Sequence, residues 1–389
     1  MNARRRYQIA FFALGWLLAL GVMFQGKVGA TLRGGYTRAE ASLARFGQGL
    51  SDGESRLREK AGGRVTRATE LGRMLPGFSS LENLRQPDSM LLGAYDGGFP
   101  RTFAGLEQFE TSVETRFPIV AFYQAWGDKP DQATFPLRMV ETIDRLGSVP
   151  MITWEPWVSD FDQTRRTNLP PLAEREYASL AAIARGEYDF HIAPWAAAAA
   201  KHGKPILLRF AHEMNDPYRY PWGPQNGNRP DDFIAAWRHV HTVFQKMGAT
   251  NVLWVWSPHI SMPWFEFYYP GSEWVDWVST GVLNYGDVAS WSRWWSFRQI
   301  LDKSYATLRD LQKPIMISEF GTLASGGDPA EWYARAFQEI RENYPAIRSV
   351  VFFHQKADST IGTAPLDWNI VGDRRTVLAV REAIHSPWP

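Results

Sequence analysis

Two glutamates, Glu213 and Glu319, follow short apolar segments, Ile206–Phe210 and Ile315–Ser318, that read as β-strands. Cleaving a glycosidic bond with retention requires such a pair. One carboxylic acid protonates the leaving oxygen, and a carboxylate ~5–5.5 Å away attacks the anomeric carbon. We assign Glu213 as general acid/base and Glu319 as nucleophile. Side-chain alternation puts Arg209, Ala211 and Glu213 on one strand face, and Ile315, Ile317 and Glu319 on one face of the other. Arg209 then points into the molecule, where a guanidinium needs a carboxylate partner. If that partner is Glu319, the contact keeps the nucleophile ionised, and Tyr285 is expected to add a hydrogen bond. Glu213 needs the opposite treatment: desolvation by neighbours such as Trp222, so that it holds a proton at the moment of attack.

Other polar and aromatic residues fall at the ends of apolar runs. They include Asp96, Trp126, Trp154, Glu155, His212, Ser257-Pro258-His259, Asn284, Tyr285 and His354-Gln355. Eighteen tryptophans are many for this length, and sugar rings stack on flat aromatic faces. Of the rim candidates Trp126, Trp154, Trp157, Trp222, Trp291, Trp294 and Trp295, the last three are the expected stacking platforms. His212-Glu213 begins like the zinc signature His-Glu-x-x-His, but the second histidine is missing and the segment follows a strand. His354 reads as a hydrogen-bonded rim or core residue. No catalytic metal and no cofactor are expected.

The elements that position these groups form a repeating series. From Leu91 onward, short apolar runs alternate with longer amphipathic stretches. The strands read are Leu91–Tyr95, Ile119–Gln124, Val149–Trp154, Ile206–Phe210, Val252–Trp256, Val275–Leu283, Ile315–Ser318 and Val350–His354. Asp231 to Met247 is the clearest helix, with Phe233, Ala236, Trp237, Val240 and Phe244 on one face and Gly248 to end it. Ala196–Ala200 also reads as helix. Closing eight such strands into a (β/α)8 barrel buries every strand edge and gathers the chemistry at the strands' C-terminal ends. Glu213 and Glu319, after the fourth and seventh strands, would converge there.

The chain of 389 residues carries a formal charge of +1 and no concentrated basic stripe, which argues against nucleic acid and for a neutral polysaccharide as partner. Zero cysteines exclude disulfides and thiolate metal sites. Arg4, Arg5 and Arg6 precede an uncharged, mostly apolar run from Tyr7 to Gly26, about the ~20 residues that cross a bilayer. Residues 1–26 are therefore expected to anchor the chain in the inner membrane as a single pass. A cleavable signal ending near Val28-Gly29-Ala30, and hence secretion, is the competing reading. Either puts Thr31 onward outside the cytoplasm. Residues 27–88, rich in arginine and glycine with a helical patch at Ala39 to Phe46, read as a solvated stalk whose basic residues could rest on lipid headgroups. The catalytic domain is expected from residue 89 to the end.

The segment Leu208-Arg209-Phe210-Ala211-His212-Glu213-Met214-Asn215, followed by Trp222-Gly223, resembles the acid/base strand of glycoside hydrolase family 26. Lys313-Pro314-Ile315-Met316-Ile317-Ser318-Glu319-Phe320-Gly321 resembles that family's nucleophile strand. Trp254-Val255-Trp256-Ser257-Pro258, Tyr269-Pro270-Gly271 and Val275-Asp276-Trp277-Val278 occur between them in the family's order, and the likeness spans about Leu91 to Asn369. Members are mainly endo-β-mannanases, with some mixed-linkage β-glucanases and β-1,3-xylanases. The resemblance implies Glu213 as acid/base, Glu319 as nucleophile, His212 and Trp222 as neighbours of the cleaved bond, and Tyr285 as partner of Glu319. It departs from the family at Thr280-Gly281-Val282-Leu283 and at His259. Met151-Ile152-Thr153-Trp154-Glu155-Pro156-Trp157 resembles members found with exopolysaccharide systems, whereas mannanases often have a histidine near Glu155. A retaining endo-β-glycan hydrolase of mannan or glucan type is the reading expected. A glycan-binding or secretion factor that has lost turnover is the alternative.

Overall fold

A computed structural model describes residues 61–361 and 365–388. The expected membrane or signal segment, the helical patch at Ala39 to Phe46 and most of the expected stalk lie outside those residues. Among the described residues no helix is long and apolar enough to cross a membrane.

Eight parallel strands close into a barrel in sequence order: β1 (Leu91–Asp96), β2 (Ile119–Ala125), β3 (Val149–Glu155), β4 (Ile206–Phe210), β5 (Val252–Trp256), β6 (Trp277–Asn284), β7 (Ile315–Thr322) and β8 (Ile347–His354). β8 pairs back onto β1, from Leu91 opposite Ser349 to Asp96 opposite His354. The expected (β/α)8 barrel is therefore present, and each expected strand overlaps an observed one. Leu92, Val120, Ile152, Leu208 and Ile317 face the helices, whereas Leu91, Ile119, Met151, Leu207, Val255 and Met316 fill the barrel interior. This alternation of two apolar faces explains why the strands read as nearly continuous apolar runs.

Helices α3 (Ala104–Ser112), α4 (Leu137–Arg145), α5 (Ser179–Ala184), α6 (Asp189–His202), α7 (Pro230–Lys246), α8 (Phe297–Asp310), α9 (Pro329–Asn343) and α10 (Arg374–His385) cover the outside. The α7 helix starts where the Asp232 carboxylate accepts from both the amide and the guanidinium of Arg229, and it buries Phe233, Ala236, Trp237, Val240 and Phe244, the face its spacing predicts. Between β5 and β6 there are only two short 3-10 turns, Phe265–Tyr268 and Ser272–Trp274, where the repeating pattern predicts a helix. After β8, Asp358 and Leu366 pair as an isolated antiparallel bridge.

The described end of the expected stalk, residues 61–88, packs against the barrel. It forms α1 (Ala61–Met74) and α2 (Leu81–Arg85), whose Leu71 and Leu84, with Phe78 between them, join the cluster inside the barrel's N-terminal end. Trp277 of β6 donates to the Leu84 carbonyl at 2.7 Å. Arg67, which composition assigns to a solvated linker, is buried against Glu110, with further bonds to Ser148 Oγ at 3.1 Å and the Phe117 carbonyl at 3.3 Å. The arginines and glycines of this stretch hide a three-residue apolar face too sparse to register as a periodic helix.

Candidate active site

The end of β4 leaves regular strand geometry after Phe210. Ala211 and Glu213 both adopt left-handed backbone conformations, at φ 44° and 51°. Side chains with a Cβ pay for that conformation in strain, which persists where the surroundings enforce it. Here the amide of Ala211 donates to the Trp154 carbonyl at 3.1 Å, and that of Glu213 to the Ser257 carbonyl at 2.7 Å. The Trp222 indole donates to the His212 carbonyl at 2.8 Å. Simple alternation therefore does not place Glu213; the two left-handed residues do, clamped to the ends of β3 and β5.

Alternation fails at β7 as well. Ile315 and Ile317 face the helices and Met316 faces the interior, so a regular strand would turn Glu319 outward. Thr280 pairs with Ile317, however, and Gly281 with Glu319, leaving Ser318 as an extra bulged residue. The bulge brings two successive side chains inside: Arg209 donates to Ser318 Oγ at 3.1 Å and to Glu319 Oε1 at 2.7 Å.

Arg209 also donates to Thr153 Oγ1 at 2.9 Å, and lies 3.2 Å from the Tyr123 hydroxyl. Tyr123 in turn donates to Glu319 Oε1 at 2.7 Å. Burial pushes the Glu319 carboxyl up, but the Arg209 charge and the bonds from Tyr123 and Arg209 outweigh it and hold the group below its ordinary value. Burial, reinforced by Glu319, keeps the Tyr123 hydroxyl protonated as a donor. The sequence reading expects Tyr285 beside Glu319. Tyr123, from the middle of β2, donates there, and Tyr285 packs edge-on against Trp291 and Trp368 at 5.2 and 5.0 Å.

Three carboxyls share this space, since the charges of Glu213, Glu155 and Glu319 all act on the Tyr220 hydroxyl. Tyr220 lies 3.0 Å from His212 Nε2 and stacks on Trp222 at 4.6 Å and 9°. Burial, then the charges of Arg209 and Arg219, keep the His212 imidazole neutral. Glu155 accepts from the Trp157 indole at 3.1 Å, and burial pushes its carboxyl up to about 7. The sequence reading gives Glu213 an apolar neighbour in Trp222. Its bonded partner is instead Arg219, whose Nη1 donates to Glu213 Oε2 at 2.9 Å.

The aromatic candidates separate. Trp126 and Trp154 are fully buried between barrel and helices, packed with His191, Trp195 and Phe210, and form no binding surface. Trp222 is buried beneath Tyr220 and Trp157. Trp294 lies directly against the Gly327 backbone and, with Phe297 and Trp332, lines a cleft between α8 and α9 outside the barrel. Trp295 is covered by Arg293 at 3.8 Å. Trp291, 65% exposed, remains an open platform. Asn284 is fully buried: its side chain donates to Thr322 Oγ1 at 2.9 Å and accepts from the amides of Gly286 and Trp295, so it shapes the loop after β6. His354 bonds Asp96 at 2.9 Å and stacks on Phe109, sealing the β8–β1 seam.

Sequence reasoning missed Tyr123, Tyr220 and Arg219. Tyr123 lies inside a strand, with no end-of-strand position to mark it. For Arg219 a signal existed, a charged residue in an otherwise aromatic Tyr218-Arg219-Tyr220-Pro221-Trp222 loop. Among the described residues, Glu213, Asp216 and His259 offer ligand atoms within 4.8 Å of one another, the one grouping close enough for a metal ion, but Arg219 already bonds Glu213 and the Tyr218 amide bonds Asp216.

The sequence profile described as glycosyl hydrolase family 26 matches residues 176–344, a span that includes both Glu213 and Glu319. Endoglucanase H of Acetivibrio thermocellus is 30% identical over 320 residues, 80% of this chain and 32% of that protein. Mannan endo-1,4-beta-mannosidase A and B of Caldalkalibacillus mannanilyticus is 28% identical over 39% of this chain and 28% of its own length. The chain thus spans about a third of the length of these curated relatives. The solved structure of a Bacillus subtilis mannanase superposes with a TM-score of 0.54 at 17% identity, covering 81% of this chain and 90% of the other, which shows a shared fold. The segment that carries both glutamates thus matches glycosyl hydrolase family 26, and the barrel shares its fold with the solved mannanase.

Proposed function

We propose that this protein is an endo-acting, retaining β-glycan hydrolase of a β-mannan or a mixed-linkage or β-1,4-glucan, with processing of an exopolysaccharide as a fitting role. The observation that carries the reading is the double donation to Glu319 Oε1, from Arg209 and Tyr123, each at 2.7 Å. Those donors keep the carboxylate ionised and aimed, as a nucleophile needs. In the first step Glu319 attacks the anomeric carbon while Glu213 gives its proton to the leaving oxygen. In the second, Glu213 takes a proton from water, which releases the sugar from Glu319. Neutral His212 holds the Tyr220 hydroxyl at 3.0 Å, and Tyr220 offers an uncharged hydrogen bond to a sugar hydroxyl beside Glu213. The names of the relatives include both endoglucanase and mannosidase, which supports the two substrate types.

Reducing-sugar release from mannan, lichenan, xylan and native exopolysaccharide, compared between wild type and Glu319→Gln, tests the assignment. Activity on at least one glycan that falls by more than about a thousandfold in the variant is expected. Equal signals from both proteins would leave a glycan-binding protein without turnover.

A further inference from the structure

Arg219 occupies an unusual position for a residue beside a general acid. Its side chain is 30% exposed, and among the described residues its guanidinium makes one hydrogen bond, to Glu213 Oε2. Tyr220, Tyr285 and Glu319 also act on it electrostatically, and the guanidinium lies over the Tyr220 ring at 5.5 Å. A guanidinium bonded to a carboxyl favours the ionised form, whereas donating a proton to a leaving oxygen requires the acid. Turnover therefore needs something that draws Arg219 away from Glu213. Sugar hydroxyls are neutral acceptors and compete poorly with a carboxylate.

The charge balance of the cleft points the same way. Glu319 is paired with Arg209, and Glu213 with Arg219. Arg209 is committed to Glu319, Thr153 and Ser318. Once Glu213 carries its catalytic proton, Arg219 loses the ionised partner of its one hydrogen bond among the described residues. A fork of donors with most of its N–H groups unused by protein matches a carboxylate, which can take two parallel bonds.

We propose that Arg219 forms a subsite for a carboxylate on the glycan, carried by a hexuronic acid next to the cleaved bond, and that engaging this carboxylate releases Glu213 for proton donation. The inference rests on the hydrolase reading above and narrows its substrate to an acidic β-glycan.

The test uses cello- and manno-oligosaccharides oxidised at C6 to uronic acids, beside their unoxidised counterparts. Hydrolysis is measured for wild type, Arg219→Gln and Arg219→Lys, and binding by calorimetry is measured in the Glu319→Gln background with and without Arg219→Gln. The oxidised ligand should be preferred by about 10- to 100-fold in kcat/KM and in affinity, the range of a charged hydrogen-bonded pair. That preference should disappear in Arg219→Gln, shrink in Arg219→Lys and weaken with added salt. Equal or better use of the neutral ligand by wild type, or a preference that survives Arg219→Gln, overturns the subsite. Binding decides the point even if no oligosaccharide is cleaved: a preference for the oxidised ligand that depends on Arg219 then supports the subsite while the hydrolase reading fails.

Discussion

At the scale of single residues, the site is a sorting of protons. Glu319 is held ionised by two donors, so removing one has a signed consequence. Tyr123→Phe deletes a hydrogen bond that lowers the Glu319 carboxyl, so the acidic limb of the kcat/KM profile should move to higher pH. The loss at the optimum should be about 10- to 100-fold, carried by kcat, and pH-rate profiles of the two proteins check it. An unshifted limb would mean that Arg209 alone sets the charge. Sequence alone delivers Glu213, Glu319 and the Arg209 contact, because each follows from a strand end or a buried charge. It does not deliver Tyr123, since one tyrosine inside an apolar strand looks like packing, nor does it separate exposed Trp291 from Trp294, packed on Gly327, and Trp295, covered by Arg293, in the same loop.

At the scale of elements, the strands are legible and their irregularities are not. Apolar runs bounded by turn residues locate all eight strands. The bulge at Ser318 and the left-handed Ala211 and Glu213 leave no mark in residue type, because neighbouring strands impose them. The helices before β1 were hidden for a different reason: Arg67 looks like a solvated charge until Glu110 is brought to it from α3. That pair predicts a separable effect. Arg67→Ala leaves Glu110 buried without its partner and should destabilise the fold by about 3–5 kcal/mol, as read by urea unfolding. Since the pair lies at the barrel's opposite end from Glu213, KM measured well below the unfolding transition should be unchanged. A stability loss under about 1 kcal/mol would mean that α1 contributes little to the barrel.

At the scale of the whole molecule, a closed barrel with its chemistry at one rim carries a buried carboxyl that ties stability to pH. Burial raises Glu155 from 4.5 to about 7, so between those values the folded chain binds more protons than the unfolded chain. Stability from this group is therefore present at low pH and lost as pH rises through that window, by up to about 3 kcal/mol. Glu155→Gln should flatten the decline, and denaturation midpoints measured from pH 5 to pH 8, about one span of the window, would show it. The central claim is that Glu319 forms a covalent bond to sugar while Glu213 manages the proton. Mass spectrometry after incubation with an activated 2-deoxy-2-fluoro-glycoside of the cleaved sugar tests that claim most directly. One added glycosyl group is expected on the peptide that contains Glu319, whereas a label on another carboxylate, or turnover with no trapped intermediate and an inverted product, overturns the assignment.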